Sequence, residues 1–176
     1  MNRVGEFEKV SYEQFYAAMK DEFHNGLDGS SKDGFEEYVK GLYDAIQLPV
    51  RATSGSAGYD FKSPFAFSVA PGGTVKIPTG IRAKIDEGWW LGCLPRSGLG
   101  FKYRVSLANT LGVVDSDYYN SSNEGHIFLK IVNGGDLEIT VGAGNGFAQA
   151  IFIPYGITYS DTATEKRDGG FGSTGK

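Results

Sequence analysis

At 176 residues, 40% of them hydrophobic and with a formal net charge of −4, the chain is long enough for one domain with a packed core. It lacks the basic excess that a general nucleic-acid or anionic-membrane binder needs. No apolar run approaches the roughly 20 residues of a membrane span, and MNRVGEFEKV carries no signal-peptide core. A lone cysteine, Cys93, has no internal disulfide partner. That fits a reducing, cytoplasmic setting, or the host cytoplasm for a viral chain.

In chain order, residues 3–10 read as a short strand. Ser11 and Gln14 then form a capping box, S-x-x-Q, at a helix start. Tyr12, Phe15, Tyr16, Met19 and Phe23 follow helical spacing, and Asn25-Gly26 ends the run. After the loop LDGSSKDG, a second stripe of Phe35, Tyr38, Val39, Leu42 and Ile46 predicts another helix. Leu48-Pro49 stops it. The 11–46 segment is therefore expected to be an aromatic-rich helical hairpin, its stripes buried against the rest of the domain.

Beyond Pro49 the helical period is gone. FAFSVA, TVKIPTGIRAKI, WWLGCL, GHIFLKIV, LEITV and AQAIFIP are short apolar or alternating runs separated by Gly, Pro, Asn and Asp. This pattern predicts a mainly β, jelly-roll-like barrel. The 26 glycines against 6 prolines favour turns and close backbone approaches over disorder. The whole chain, 1–176, reads as one domain with a flexible C-terminal arm at 165–176.

That arm contains G-x-x-x-x-G-K, the start of a phosphate-binding loop. A true P-loop continues into Ser or Thr and a helix whose N-terminus meets the phosphates. With the sequence ending at Lys176, no such helix is expected to complete one. The glycines can still let backbone N–H groups approach a phosphate.

Five stretches stand out: AGYDF (57–61), PRSGLG (95–100), NTLGVVDSDYYN (109–120), GNGFAQ (144–149) and RDGGFGSTG (167–175). Their order and spacing resemble the five motifs of the homotrimeric dUTP diphosphatase (dUTPase) family, from about Leu48 to the C-terminus. FEKVS resembles the first strand of such enzymes, which makes 11–46 a helical insertion. The resemblance implies hydrolysis of dUTP to dUMP and diphosphate with Mg²⁺, limiting uracil in DNA and supplying dUMP for dTMP synthesis. It also implies a homotrimer with active sites shared between subunits.

By residue type alone, Asp115 and Asp117 in DSDYY are ordinary turn formers. The resemblance makes Asp115 the base that deprotonates a water attacking the α-phosphorus, a role suited to an ionised carboxylate within reach. Asp117 stays structural. The Asn109 amide offers both donor and acceptor and is assigned, with backbone groups near Val113, to reading uracil. Tyr118 takes the position whose ring packs under deoxyribose and leaves no room for a 2′-hydroxyl. Arg96, Ser97 and Gly98 of PRSG supply donors for the phosphate chain, and Gln149 adds another. In the arm, Phe171 would stack on uracil and Arg167 would neutralise the γ-phosphate, with Gly172, Ser173 and Thr174 adding donors.

Asp60 is expected to act on the metal–phosphate assembly through water, with no direct protein ligand for Mg²⁺. His24 and His126 are isolated, and His126 reads as structural. Two departures from the family pattern stand out. GNGFAQ has Asn145 and Gly146 where the family has an acid and an arginine. Arg167 lies one residue closer to Phe171 than is commonest.

Two rival readings remain. A dCTP deaminase shares the fold, but it needs a proton-shuttling acid near the base. A non-catalytic nucleotide-binding or regulatory module could use the helical insertion to meet a protein partner. Neither membrane nor direct nucleic-acid binding is expected.

Overall fold

The computed structural model describes residues 2–23 and 32–165. Twelve strands and three α-helices follow in this order: β1 (Gly5–Lys9), α1 (Tyr12–Phe23), α2 (Lys32–Ala45), β2 (Val50–Arg51), β3 (Tyr59–Lys62), β4 (Phe67–Val69), β5 (Thr74–Pro78), β6 (Ile81–Ile85), β7 (Trp89–Pro95), α3 (Ser97–Tyr103), β8 (Val105–Leu107), β9 (Gly112–Val114), β10 (Phe128–Asn133), β11 (Ile139–Val141) and β12 (Gly146–Pro154). A 3-10 helix, Ser116–Asn120, follows β9. The mainly β expectation and the N-terminal helical hairpin hold.

The jelly-roll-like β expectation holds, with no single closed barrel among the described residues. Pairing among the described residues gives four sheets: β1-β6, β5-β10-β8, β11-β4 and β2-β3-β12-β7-β9. The strands are short, and β5 ends at Pro78, where the missing N–H halts a ladder. Period-2 patterning aims several of the strands inward. In β6, Ile81, Ala83 and Ile85 are buried while Arg82 and Lys84 turn out. The centre of the largest sheet is the β12–β7 ladder, where small buried residues, Ala148, Ala150, Gly92 and Cys93, line the pairing. Burial pushes the Cys93 thiol up to about 12, so it is an inert core residue.

The hairpin packs onto the β5–β6 turn. Phe15, Met19 and Val39 are fully buried, each contributing roughly 1.5–3 kcal/mol of apolar burial. Of the second predicted stripe, Tyr38 instead faces solvent at 50% exposure. Tyr43, off the predicted stripe, packs in its place, its hydroxyl donating to the Val10 carbonyl at 2.7 Å. The end of α1 is tied down by Lys76, which pairs with Glu22 at 2.9 Å.

Gly80 is the pivot of this junction. Its carbonyl accepts from the Val10 N–H at 3.0 Å, and its N–H donates to His126 Nε2 at 2.8 Å. Its φ is +72°, and a Cβ there would collide with Ile46 and press on Phe15. Gly80→Ala combines left-handed backbone strain with overpacking, so it is expected to destabilise the fold by about 2–4 kcal/mol. Urea unfolding at neutral pH checks this value.

Candidate active site

Three of the predicted phosphate-side residues meet at one end of the largest sheet. In the register, Gln149 of β12 lies between Asp60 of β3 and Leu94 of β7. Arg96 leaves β7 one residue beyond its end and turns back over this cluster. Its Nε sits 3.2 Å from Asp60 Oδ1, and it donates to the Gly146 carbonyl at 3.4 Å. The Gln149 amide donates to the Pro95 carbonyl at 3.3 Å. Three stretches far apart in sequence thus bring a guanidinium, an amide and a carboxylate together at the surface. A guanidinium already aligned by a carboxylate loses less freedom when it engages a phosphate.

Two glycines make this approach possible. A Cβ on Gly58 would lie 2.6 Å from Gln149 Oε1. One on Gly146 would lie 2.6 Å from an Arg96 guanidinium nitrogen and 3.1 Å from its Cδ. The departure at Gly146 therefore has a structural counterpart: the space where an arginine would start is filled by Arg96. Asn145 is exposed, and its carbonyl accepts from the Ser63 N–H at 2.9 Å.

The PRSG stretch leads from the end of β7 into a short helix. Ser97 and Gly98 open α3, with Arg96 in extended conformation at its N-cap and no side-chain cap. Arg104, at φ 53°, ends the helix in the left-handed region. Ser97 and Gly98 are both exposed.

The uracil-side residues lie along β9 and its flanks. Asn109 is exposed in the tight turn between β8 and β9, where Thr110 has φ 65°. Val113 is 47% exposed on the outer face of β9. Asp115 follows β9 directly and occupies the N-cap position of the 3-10 helix, yet its carboxylate does not cap that helix.

Tyr118 is placed differently from an open sugar-facing surface. It is 2% exposed in the single chain. Its hydroxyl donates to the His126 carbonyl at 2.8 Å and accepts from Asn123 Nδ2 at 2.8 Å. The neighbouring Tyr119 anchors the outer side, donating to Glu8 at 2.8 Å while Arg82 lies 4.3 Å over its ring. The Tyr119 hydroxyl, with Arg82, holds the Glu8 carboxyl below its usual value despite burial.

Among the described residues, Asp115 does not meet the Asp60–Arg96–Gln149 group within one chain. Val114 pairs with Leu91, so Asp115 falls one step further, beside Trp90. Arg96 is six residues along β7 from there, roughly 20 Å at strand rise. Asp115 and the Asp60–Arg96–Gln149 group therefore stand at opposite ends of β7.

His126, read from the sequence as a structural or loop residue, is fully buried. Among the described residues no group of three or more His, Cys, Asp or Glu side chains is gathered to hold a metal. Arg167, Phe171, Gly172, Ser173 and Thr174 lie outside the described residues. Sequence reading missed the contact between Glu124 and Ser11. Only the capping-box serine hinted that something there needed an acceptor.

This fold and motif set match known proteins. The dUTPase family model matches residues 44–175. The deoxyuridine 5′-triphosphate nucleotidohydrolase of Lactococcus lactis is 41% identical over 145 residues, covering 81% of this chain and 97% of that protein. Its counterpart from Actinobacillus pleuropneumoniae is 42% identical over 137 residues, covering 73% and 87%. The dUTPase crystal structure from Streptococcus mutans superposes with a TM-score of 0.60 at 29% identity, covering 87% of this chain and 98% of that one. The dUTPase of Staphylococcus aureus phage phi11 shares the fold, with a TM-score of 0.56 at 20% identity over 68% of this chain and 90% of that one. The chain belongs to the dUTPase family, and is by that membership a nucleotide hydrolase.

Proposed function

We propose that this protein hydrolyses dUTP to dUMP and diphosphate, with Asp115 as the general base. The observation that carries the reading is the convergence of Asp60, Arg96 and Gln149, from three separate motifs, into one phosphate-suited cluster. The Asp115 carboxylate takes a proton from water, whose oxygen attacks the α-phosphorus. The bond from the α-phosphorus to its bridging oxygen breaks, and diphosphate leaves. Arg96, Ser97, Gly98 and Gln149 hold the phosphate chain. Asn109 and backbone groups at Val113 read uracil, and Tyr118 backs the wall beside the sugar. Phe171, Arg167, Gly172, Ser173 and Thr174 close over the nucleotide and exclude water.

Asp60 is already paired with Arg96, which suits an indirect role toward Mg²⁺ better than direct ligation. Mg²⁺ keeps several waters and is held largely by substrate phosphates; when bound it neutralises their charge. The phage phi11 relative is described as coordinating a structural Mg(II) ion, and a phage 80alpha relative was solved with dUPNHPP.

The separation of Asp115 from Arg96 along β7 supports a complete site that draws on more than one copy. A homotrimer with shared sites supplies this arrangement. The product fits removal of dUTP from the pool available to DNA synthesis and supply of dUMP for dTMP synthesis, in the cytoplasm.

Turnover in ¹⁸O-labelled water tests the proposal. Label is expected in dUMP and none in diphosphate. Label in diphosphate would place the attack at the β-phosphorus and remove Asp115 from its assigned role.

A further inference from the structure

We propose that Glu124 is a positioning residue that ties the helical hairpin to the Tyr118 loop, making the hairpin part of the device that selects at the sugar. The inference rests on the dUTPase reading above. It starts from an unusual backbone. Glu124 and Gly125 are consecutive left-handed residues, at φ 58° and 70°. For Glu124 that conformation costs on the order of 1 kcal/mol. At Gly125, a Cβ would lie 2.7 Å from the Tyr119 Cα. The loop is thus folded tightly against the 3-10 helix.

Glu124 is held there by the hairpin. Its carboxylate accepts from the Ser11 N–H at 2.7 Å and from the Ser11 hydroxyl at 2.6 Å. Ser11 caps α1, its hydroxyl accepting from the Gln14 N–H at 3.1 Å. In a capping box, the side chain three residues on would return to the Ser11 N–H. Here a residue 113 positions away takes that role, while the Gln14 amide faces the His126 ring at 3.5 Å. Burial raises the Glu124 carboxyl, but the Ser11 side-chain and backbone donors outweigh it and leave its pKa lowered. The contact is therefore a charge-assisted one.

From Glu124 the constraint passes to Tyr118 through short links. The Glu124 N–H donates to the Ser121 carbonyl at 2.8 Å, and the His126 N–H to the Asn123 carbonyl at 3.0 Å. Ser121 Oγ donates to the Tyr118 carbonyl at 2.6 Å. Asn123 and the His126 carbonyl between them use both the acceptor and the donor capacity of the Tyr118 hydroxyl. Both hydrogen bonds hold the ring in its buried place. Releasing Glu124 frees the left-handed turn, and with it the two groups that hold that ring.

The test is steady-state hydrolysis of dUTP and UTP by the full chain, with thermal unfolding in parallel. Glu124→Ala is expected to lower the dUTP-to-UTP ratio of kcat/KM at least about tenfold, on the scale of losing a hydrogen bond to a charged group. Glu124→Gln keeps an acceptor for the Ser11 N–H and is expected to restore much of the ratio. As a control, Ile139→Val thins the core elsewhere and is expected to lower Tm with the ratio unchanged. Should Glu124→Ala not fold, Ser11→Ala removes the hydroxyl contacts to Glu124 and to the Gln14 N–H while keeping the Ser11 N–H, with a several-fold loss expected. A folded Glu124→Ala, or failing it Ser11→Ala, with wild-type selectivity would overturn the inference. A wild-type protein that does not hydrolyse dUTP would sink the underlying reading, and this inference with it.

Discussion

Asp115→Asn is expected to lower kcat for dUTP by roughly 100- to 10,000-fold, the range over which a general base acts, while dUTP binding changes little. The substitution is nearly isosteric. It removes the ability to accept a proton and leaves the backbone in place. Asp115 is partly exposed, in extended conformation at the mouth of a 3-10 helix that it does not cap. An asparagine there keeps the local geometry, so fold and assembly should persist. Single-turnover rates and equilibrium binding of a non-hydrolysable dUTP analogue separate the two quantities. Turnover near wild type would remove Asp115 from the reaction. Loss of binding together with turnover would make it a structural residue.

Lowering the pH from 7 to 5 is expected to cost the protein about 2 kcal/mol of stability through His126 alone. The ring is fully buried, packed 4.3 Å from Phe128. Its Nε2 accepts the Gly80 N–H, which places the ring proton on Nδ1. Burial pushes its pKa down to about 3, partly opposed by the nearby Glu124 carboxylate. The folded state thus stays neutral where the unfolded histidine, near 6.5, takes up a proton. The unfolded state binds more protons between these values, so stability rises with pH across the window and falls on acidification. The slope reaches about 1.4 kcal/mol per pH unit. Glu8 and Glu124, whose carboxyls are lowered, contribute stability above their unfolded values that is lost only at lower pH. The interval from pH 7 to 5 therefore isolates the histidine. His126→Gln offers an amide oxygen to Gly80 and has no such titration, so its stability should change about 2 kcal/mol less over that interval. Urea unfolding at both pH values measures this, and an unchanged pH dependence in the variant would contradict it.

These two residues mark the boundary of what the sequence reveals. The turn that carries Asp115 was legible because its pattern is local, whereas the role proposed for its carboxylate came from the order of five motifs along the chain. The two N-terminal helices were legible because Phe15, Met19 and Val39 recur at helical spacing. The strands showed as apolar runs between turn residues. What stayed hidden was long-range or locally contradictory. Gly98 and Gly100 disfavour a helix, yet α3 forms across them because tertiary context outweighs propensity. Gly146 looked like a lost arginine, and only the register of β12 against β3 and β7 shows Arg96 lying over it. The register of β9 against β7 puts Asp115 and Arg96 at opposite ends of β7, which spacing along the chain does not disclose. Ser11 announced a cap, but its partner across 113 residues follows from the fold alone.

The measurement that bears most directly on this account is diphosphate release from dUTP, with dCTP, dTTP and UTP as controls, with and without Mg²⁺. The account predicts rapid, Mg²⁺-dependent release from dUTP and little from the other three. Nucleotide binding without diphosphate release, or comparable release from all four nucleotides, would contradict it.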